Sequence, residues 1–350
     1  MTDMHRKLAT VRKIEEIRPI PDADRIVAYR VGGWWVVDKK GAYEVGDLAV
    51  YCEVDSFLSE NLAPWLVRSK PKTYNGVKGE RLRTIRLKGQ LSQGMLLPMN
   101  VLDQWDSGEL ITLIGEQYYQ EGEDVTEELG IQKWEPVVPA QLRGVIRGNF
   151  PSQFPKTDLE RCQNLTKYLE KYSQMGWVME EKLDGSSFTC YLSDGKFGVC
   201  SRNLDLKESE DNTFWRVANR YSLREKLEAL DFDSDHIAIQ AELIGPGIQK
   251  NPYGLTEADI RVFDIHDGTS YLHKDDRAYI VEKLGLPSVP TLGVLRTGEL
   301  PTDVEEILAM AEGKSQLNGT EREGIAFKSL DDPNVSFKAI SNKFLLKTKG

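Results

Sequence analysis

The sequence predicts an α+β fold in two domains, a small β-barrel or sandwich followed by a larger domain mixing antiparallel strands with helices. Three observations carry this. At roughly 150 residues per domain, 350 residues suffice for about two cores. Residues 8–58 alternate short β-branched runs with turn residues. Beyond residue 139, strand-like runs are interspersed with segments of helical period.

In the first domain LATVRKIEEI, RIVAYRV, WWVVDKK and LAVYCEV read as strands, and PDAD, GG and GAYEVGD as turns. The acidic, weakly patterned GEQYYQEGEDVTEELG at 115–130 and the two prolines of WEPVVPA mark a boundary, dividing the chain into 1–130 and 131–350. TDLERCQNLTKYLEKYSQ then predicts a helix, capped by Thr157 or Asp158, with Leu159, Leu165 and Leu169 at apolar positions. WVMEEKLDGSSFTCYLSDGKFGVCSRN predicts a β-hairpin turning at Asp194-Gly195. Further strands are expected at HIAIQAEL, IRVFDIH, GIAFKSL and VSFKAIS, and helices near 214–230, 274–284 and 303–312. No internal repeat is evident.

Composition excludes several classes. Hydrophobic residues at 40% and charged residues at 29% describe an ordinary soluble protein. No run of 18 apolar residues offers a transmembrane helix, and the N-terminal MTDMHRKLATVRKIEEIRPI lacks the apolar core of a signal peptide. Cys52, Cys162, Cys190 and Cys200 form no CxxC pair, and the four histidines are scattered, so a structural zinc site is not expected. Reduced thiols in a cytoplasmic, monomeric protein are the expectation.

The net charge of −10 argues against a passive basic sleeve for nucleic acid. Yet residues 68–88 hold eight basic side chains against Glu80 alone, with Trp65 and Tyr74 nearby. Lysines and arginines that neutralise phosphates release counterions, so this stretch favours a polyanion. The last fifteen residues hold Lys338, Lys343, Lys347 and Lys349 and no acid. A polynucleotide is expected along these two segments.

The chemistry is carried by Lys182-Leu183-Asp184-Gly185, where a strand runs into a turn, together with Glu242 in IQAELIG, Glu323 before GIAFKSL, and Lys338 in VSFKAIS. Alternation places Ser336, Lys338 and Ile340 on one face of their strand. Taken singly, each is an ordinary solvent-facing strand residue, and turn chemistry alone explains Asp-Gly. Two lysines and three carboxylates in or beside apolar strands of one domain are costly unless paired or used. They suit nucleotidyl transfer. A lysine with a depressed pKa attacks a phosphate, a carboxylate-held metal stabilises the α-phosphate, and a second lysine neutralises its oxygens.

The series KLDGSS, SRN, AELIGPG, FDI, EGIAFK and SFKAISNKFLLK resembles the motifs of the covalent nucleotidyltransferases: RNA ligases, DNA ligases and capping guanylyltransferases. With PKTDLERCQN, AELIGPGIQKNPYG and ISNKFLLK, it is most similar to ATP-dependent RNA ligases of the Deinococcus and Naegleria type. The resemblance covers nearly the whole chain. It implies an OB-like β-barrel ahead of a nucleotidyltransferase domain of antiparallel sheets flanked by helices. It also implies ATP as substrate, Mg²⁺ or Mn²⁺ as metal, RNA or an RNA-containing duplex as partner, and a role in RNA repair.

The resemblance further implies residue roles. Lys182 takes AMP as a lysyl-phosphoramidate, Glu181 reads the adenine amino group, and Phe263 stacks on the base. Asp184, Glu242 and Glu323 engage the metal or its waters, with Glu242 also near the ribose. Lys338 contacts the α-phosphate, Arg161 lies near the nucleotide or incoming phosphate, and Arg202 serves the polynucleotide end. One departure stands out. Related ligases often carry Lys-x-Lys in the last motif, where this chain has Lys338-Ala339-Ile340, so the second cation comes from Lys343 or Lys347, or the role is absent. A DNA ligase is the second reading, although classical ones carry the OB domain after the transferase. A capping guanylyltransferase is the third. A decayed, binding-only protein fits poorly with an unbroken motif order.

Overall fold

The structure is a computed structural model that describes residues 7–67, 71–103, 119–134, 145–232 and 234–347. The chain divides into two compact units, Met1–Val137 and Val138–Gly350. Gln132–Lys133 pairs with Ser56–Phe57, so residues just past 130 extend the first unit rather than opening the second. The prolines of WEPVVPA lie outside the described residues.

The first unit is built of β-strands. Ala9–Lys13, Leu48–Cys52 and Met95–Pro98 form one sheet, with Leu48–Cys52 central. This strand explains its own near-continuous apolar sequence: Val50 and Cys52 enter one core with Val11, Leu58 and Leu97, while Ala49 and Tyr51 enter another with Tyr29 and Trp34. Glu16–Pro19, Ile26–Val31 and Trp34–Lys39 form a three-stranded meander. LATVRKIEEI is therefore two strands in different sheets, joined at the buried Ile14. Lys72–Tyr74, Val77–Arg81, Ser56–Ser59 and Gln132–Lys133 make a four-stranded sheet, and Ile85–Leu87 pairs only with Gln90–Ser92. The described strands of this unit form separate sheets and not one closed barrel.

The second unit holds two sheets. A six-stranded antiparallel sheet runs Ile146–Asn149, Leu204–Leu206, Lys196–Cys200, Ser186–Ser193, His236–Ile244, Asp259–His266. A five-stranded sheet runs Glu160–Arg161, Ser336–Ile340, Gly324–Ser329, Trp177–Lys182, Thr291–Leu295. Helices Thr213–Arg220, Leu223–Glu228 and Lys274–Lys283 pack Trp215, Leu223, Leu227 and Ile280 on the first sheet. Helix Val304–Ala311 packs Ile307 and Ala311 on the second. Burying one such large side chain contributes roughly 1.5–3 kcal/mol. Asn212 and Asp303 cap two of these helices by accepting from the amides of Phe214 and Glu305.

The hairpin turns at Asp194 and Gly195, both left-handed (φ 49° and 69°), as a two-residue turn between twisted strands requires. Trp177–Lys182 is not part of that hairpin, because it belongs to the other sheet. Leu183–Gly185 is thus the crossing between sheets. The helix expected over TDLERCQNLTKYLEKYSQ is replaced by a short strand at Glu160–Arg161, two 3₁₀ turns, and one α-helical turn at Leu169–Ser173. Parallel pairing with Phe337–Lys338 overrides the helical periodicity there. No helix among the described residues is long and apolar enough to cross a membrane, and the four cysteines are free and buried.

Candidate active site

Lys182 ends the strand that pairs with both Thr291–Leu295 and Gly324–Ser329. Its partner across the ladder is Gly324, which brings Glu323 alongside, and the Lys182 Nζ donates to Glu323 Oε2 at 3.0 Å. Leu183 then turns inward, 2% exposed, into a cluster with Ile244, Tyr253 and Val289, against which Phe263 packs. The Asp184 amide donates to the Tyr253 hydroxyl at 2.7 Å.

Two glycines here are required by close approach. A Cβ on Gly185 would lie 2.5 Å from the Leu243 carbonyl and 2.7 Å from the Glu242 Cγ, so glycine lets the Glu242 strand come against the crossing. A Cβ on Gly324 would lie 2.2 Å from the Ala339 carbonyl, so glycine lets the Lys338 strand come against Glu323. Both sequence pairs, Asp-Gly and Glu-Gly, are therefore packing devices, and turn chemistry does not account for Gly185.

The loop that supplies Tyr253 is strained. Gln249, Lys250 and Asn251 are consecutive left-handed residues (φ 45°, 62° and 53°), each costing of order 1–3 kcal/mol for a non-glycine. Gln249 Nε2 donates to the Gly185 carbonyl at 3.2 Å, so this loop grips the Lys182–Gly185 crossing twice.

The charges are mutually dependent. Burial pushes the Asp184 carboxyl up to about 7, with repulsion from Glu323 adding and Lys182 opposing. Burial likewise raises Glu242 to about 8; Lys182 opposes this, while Glu323 and Asp184 add to it. Burial presses the Lys182 amine down, but Glu323, Glu242 and Asp184 together hold it above its ordinary value. The acidic neighbours thus reverse the depressed lysine pKa expected from sequence.

The carboxyl set is made of oxygen donors, which suit Mg²⁺ or Mn²⁺. Asp184 and Glu242 are raised by burial and, to a lesser extent, by neighbouring carboxylates, a cost that a bound cation would relieve. Among the described residues, however, no three such side chains converge as a metal cluster. The expected triad of Asp184, Glu242 and Glu323 is electrostatically coupled without forming a closed cage. Magnesium commonly takes one or two carboxylates and completes its shell with waters and phosphates.

This arrangement has a pH signature. In the metal-free protein, Asp184 and Glu242 hold protons that the unfolded chain releases near pH 4, so folding stability falls as pH rises from about 4 through 7 and 8. Thermal melts between pH 5 and 8.5 will show a Tm declining more steeply than in the Asp184→Asn/Glu242→Gln variant. Equal slopes would contradict the assignment.

Other expected residues lie as follows. Arg161 is buried and stands opposite Lys338 in the parallel pair. Glu181, 1% exposed, accepts from the Gln316 amide at 2.8 Å through Oε2, and its Oε1 is buried with no hydrogen-bond partner. Arg202 forms a bidentate pair with Asp158 at 2.5 and 2.6 Å. Ile340 is buried, and Lys343 and Lys347 pair with Glu312 at 2.5 Å and Glu321 at 2.7 Å. Lys343 and Lys347 therefore do meet acids, supplied by an earlier part of the chain.

In the basic stretch, Lys72 pairs with Glu80 at 2.7 Å and Arg81 with Asp55 at 2.6 Å. Arg83, Arg86 and Lys88 remain exposed on and beside the Ile85–Ser92 ribbon. Residues 68–70 and 348–350 lie outside the described residues. Gln249 and Tyr253, which lie within AELIGPGIQKNPYG, and Gln316 receive no role from the sequence alone.

A lysine amine among acidic oxygens, set where the chain crosses between two sheets, is equipment for nucleotidyl transfer. The comparisons agree. A family model described as RNA ligase matches residues 175–340, and one described as an OB-fold domain matches residues 8–99. The chain is 42% identical to a Naegleria gruberi RNA ligase solved with PPi, covering 98% of this chain and 99% of that one at a TM-score of 0.87. Mutants of that ligase with ATP and Mn, and with AMP and Mn, match at 42% identity. The first has a TM-score of 0.87 over 99% of this chain and 100% of that one, the second 0.86 over 97% and 98%. A fatty acid-binding protein homolog of Ascaris suum is 28% identical over 147 residues, 41% of this chain and 82% of that protein, too slight a likeness to carry function. The chain belongs to the RNA ligase family.

Proposed function

We propose that this RNA ligase is ATP-dependent, joins 5′-phosphate to 3′-hydroxyl ends through a covalent Lys182–AMP adduct, and acts in RNA repair. The observation that carries this is the Lys182 amine, 3.0 Å from Glu323 and coupled to Asp184 and Glu242. The ATP, AMP and Mn complexes of the Naegleria ligase support it.

Lys182 rests as an ammonium, because its acidic neighbours raise it. Glu323 Oε2 is the acceptor in place for its proton. The freed amine attacks the α-phosphate of ATP, an N–P bond forms, and pyrophosphate leaves with the broken P–O bond. The Lys182–AMP bond is then broken by a 5′-phosphate oxygen, giving a pyrophosphate-linked end. Attack of a 3′-hydroxyl forms the phosphodiester and expels AMP.

Phe263 stacks on the adenine, and the unpartnered Oε1 of Glu181 accepts from its amino group. Lys338 neutralises the α-phosphate, with Arg161 beside it, and Arg202 serves the RNA end once it leaves Asp158. Asp184, Glu242 and Glu323 would engage Mg²⁺ or Mn²⁺ directly or through its waters, and the ion when bound would lower the amine pKa and stabilise charge on the phosphate. The exposed Ile85–Ser92 ribbon with Arg83, Arg86 and Lys88 is the polynucleotide contact of this reading.

A sealing assay tests both parts. α-Labelled ATP, and not GTP, is expected to label the protein, and nicks with a ribonucleotide 3′ end are expected to be sealed. Labelling by GTP or equal sealing of all-DNA nicks would point to a capping enzyme or a DNA ligase. Replacing Arg83, Arg86 and Lys88 by alanine should leave labelling intact and reduce the salt slope of RNA binding by up to about three; an unchanged slope would rule the ribbon out.

A further inference from the structure

Four charged side chains close a buried square behind the site. Glu180 lies two residues before Lys182, Asp264 follows Phe263, Lys328 lies five residues after Glu323, and Arg277 comes from the Lys274–Lys283 helix. Arg277 pairs with Glu180 and, at 3.1 Å, with Asp264; Lys328 pairs with Glu180 at 3.0 Å and Asp264 at 2.8 Å. All four side chains are between 4% and 13% exposed. Two acids and two bases cancel, which permits their burial.

The square converges on one group. Both Arg277 and Lys328 donate to the Phe263 carbonyl, and the Lys328 ammonium stands 5.4 Å from the centroid of the Phe263 ring. Apolar side chains of similar volume would fill this space without desolvating four charges. Charged hydrogen bonds add direction, and here the direction is toward Phe263.

We propose that Arg277 and Lys328 are positioning residues for Phe263. Anchored by Glu180 on the Lys182 strand, they fix the ring relative to the Lys182 amine, so that a base stacked on the ring brings its α-phosphate to the nucleophile. This rests on the reading of Phe263 as the base platform. It goes beyond that reading by assigning the cations that aim it.

Arg277→Lys keeps the charge and loses the planar fork that serves Glu180, Asp264 and the carbonyl at once. Self-adenylylation of the full chain is expected to show a KM for ATP raised roughly tenfold and a maximal rate changed less than about threefold. Phe263→Ala should raise KM similarly, and the double variant should add little to Phe263→Ala, because both act through one ring. Additive effects, or an unchanged KM in Arg277→Lys, would overturn the proposal. An unchanged KM in Phe263→Ala would remove the base-platform reading and this proposal with it, leaving the Lys182 adduct untouched. If Arg277→Lys does not fold, the charge-neutral pair Glu180→Gln/Lys328→Met enters the same cycle with the same deciding outcomes.

Discussion

Replacing Lys182 by alanine will abolish the covalent protein–AMP adduct and reduce ATP-dependent sealing by on the order of 10⁴-fold or more. Strands that already carry a 5′-adenylate should still be joined, because they enter after the step that needs the amine. Arginine will not substitute, since a guanidinium does not give up its proton at any working pH. The prediction is specific because the rest of the site survives the change. Tyr253 still holds the Asp184 amide, Gly185 still admits Glu242, and Glu323 loses only its 3.0 Å partner. Gel detection of labelled protein reads the result. A full-strength adduct in Lys182→Ala would transfer the nucleophile elsewhere, whereas loss of joining by pre-adenylated strands would mean that Lys182 also acts in the final step.

The second large effect concerns stability. Lys328→Met leaves Glu180 and Asp264 facing Arg277 alone, and breaking a buried charge set in this way costs about 3–5 kcal/mol. For a unit of this size each kcal/mol lowers Tm by roughly 2–4 °C, so a fall on the order of 10 °C is expected. Glu180→Gln/Lys328→Met restores neutrality and should recover most of it. Thermal melts of the three proteins decide the matter. A single variant as stable as the parent would show that water or a local rearrangement already screens the square.

The motif residues were legible because their chemistry is local: Lys182, Asp184 and Gly185 sit within four positions, and Glu323 adjoins Gly324. Alternation placed Lys338 correctly in a strand, and the Asp194-Gly195 turn announced itself. Elsewhere the sequence misled for identifiable reasons. TDLERCQNLTKYLEKYSQ has helical spacing, yet Glu160–Arg161 is drawn into a sheet by a strand far along the chain. Trp177–Lys182 and Ser186–Ser193 read as neighbours but serve different sheets. The C-terminal lysines looked uncompensated because Glu312 and Glu321 are distant in sequence and close in space. The buried square was invisible for the same reason: its four members come from four separate elements, three strands and a helix.

The Lys182–Glu323 contact spans 141 residues, and this bears on how the protein is made. At roughly 5–20 residues per second of synthesis, Lys182 emerges some seven to thirty seconds before its carboxylate partner, and Lys338 follows later still. On the roles proposed above, the growing chain has during that interval a nucleophile without its proton acceptor or phosphate-binding lysine. On that reading, adduct formation waits until the Ser336–Ile340 strand has been delivered and docked.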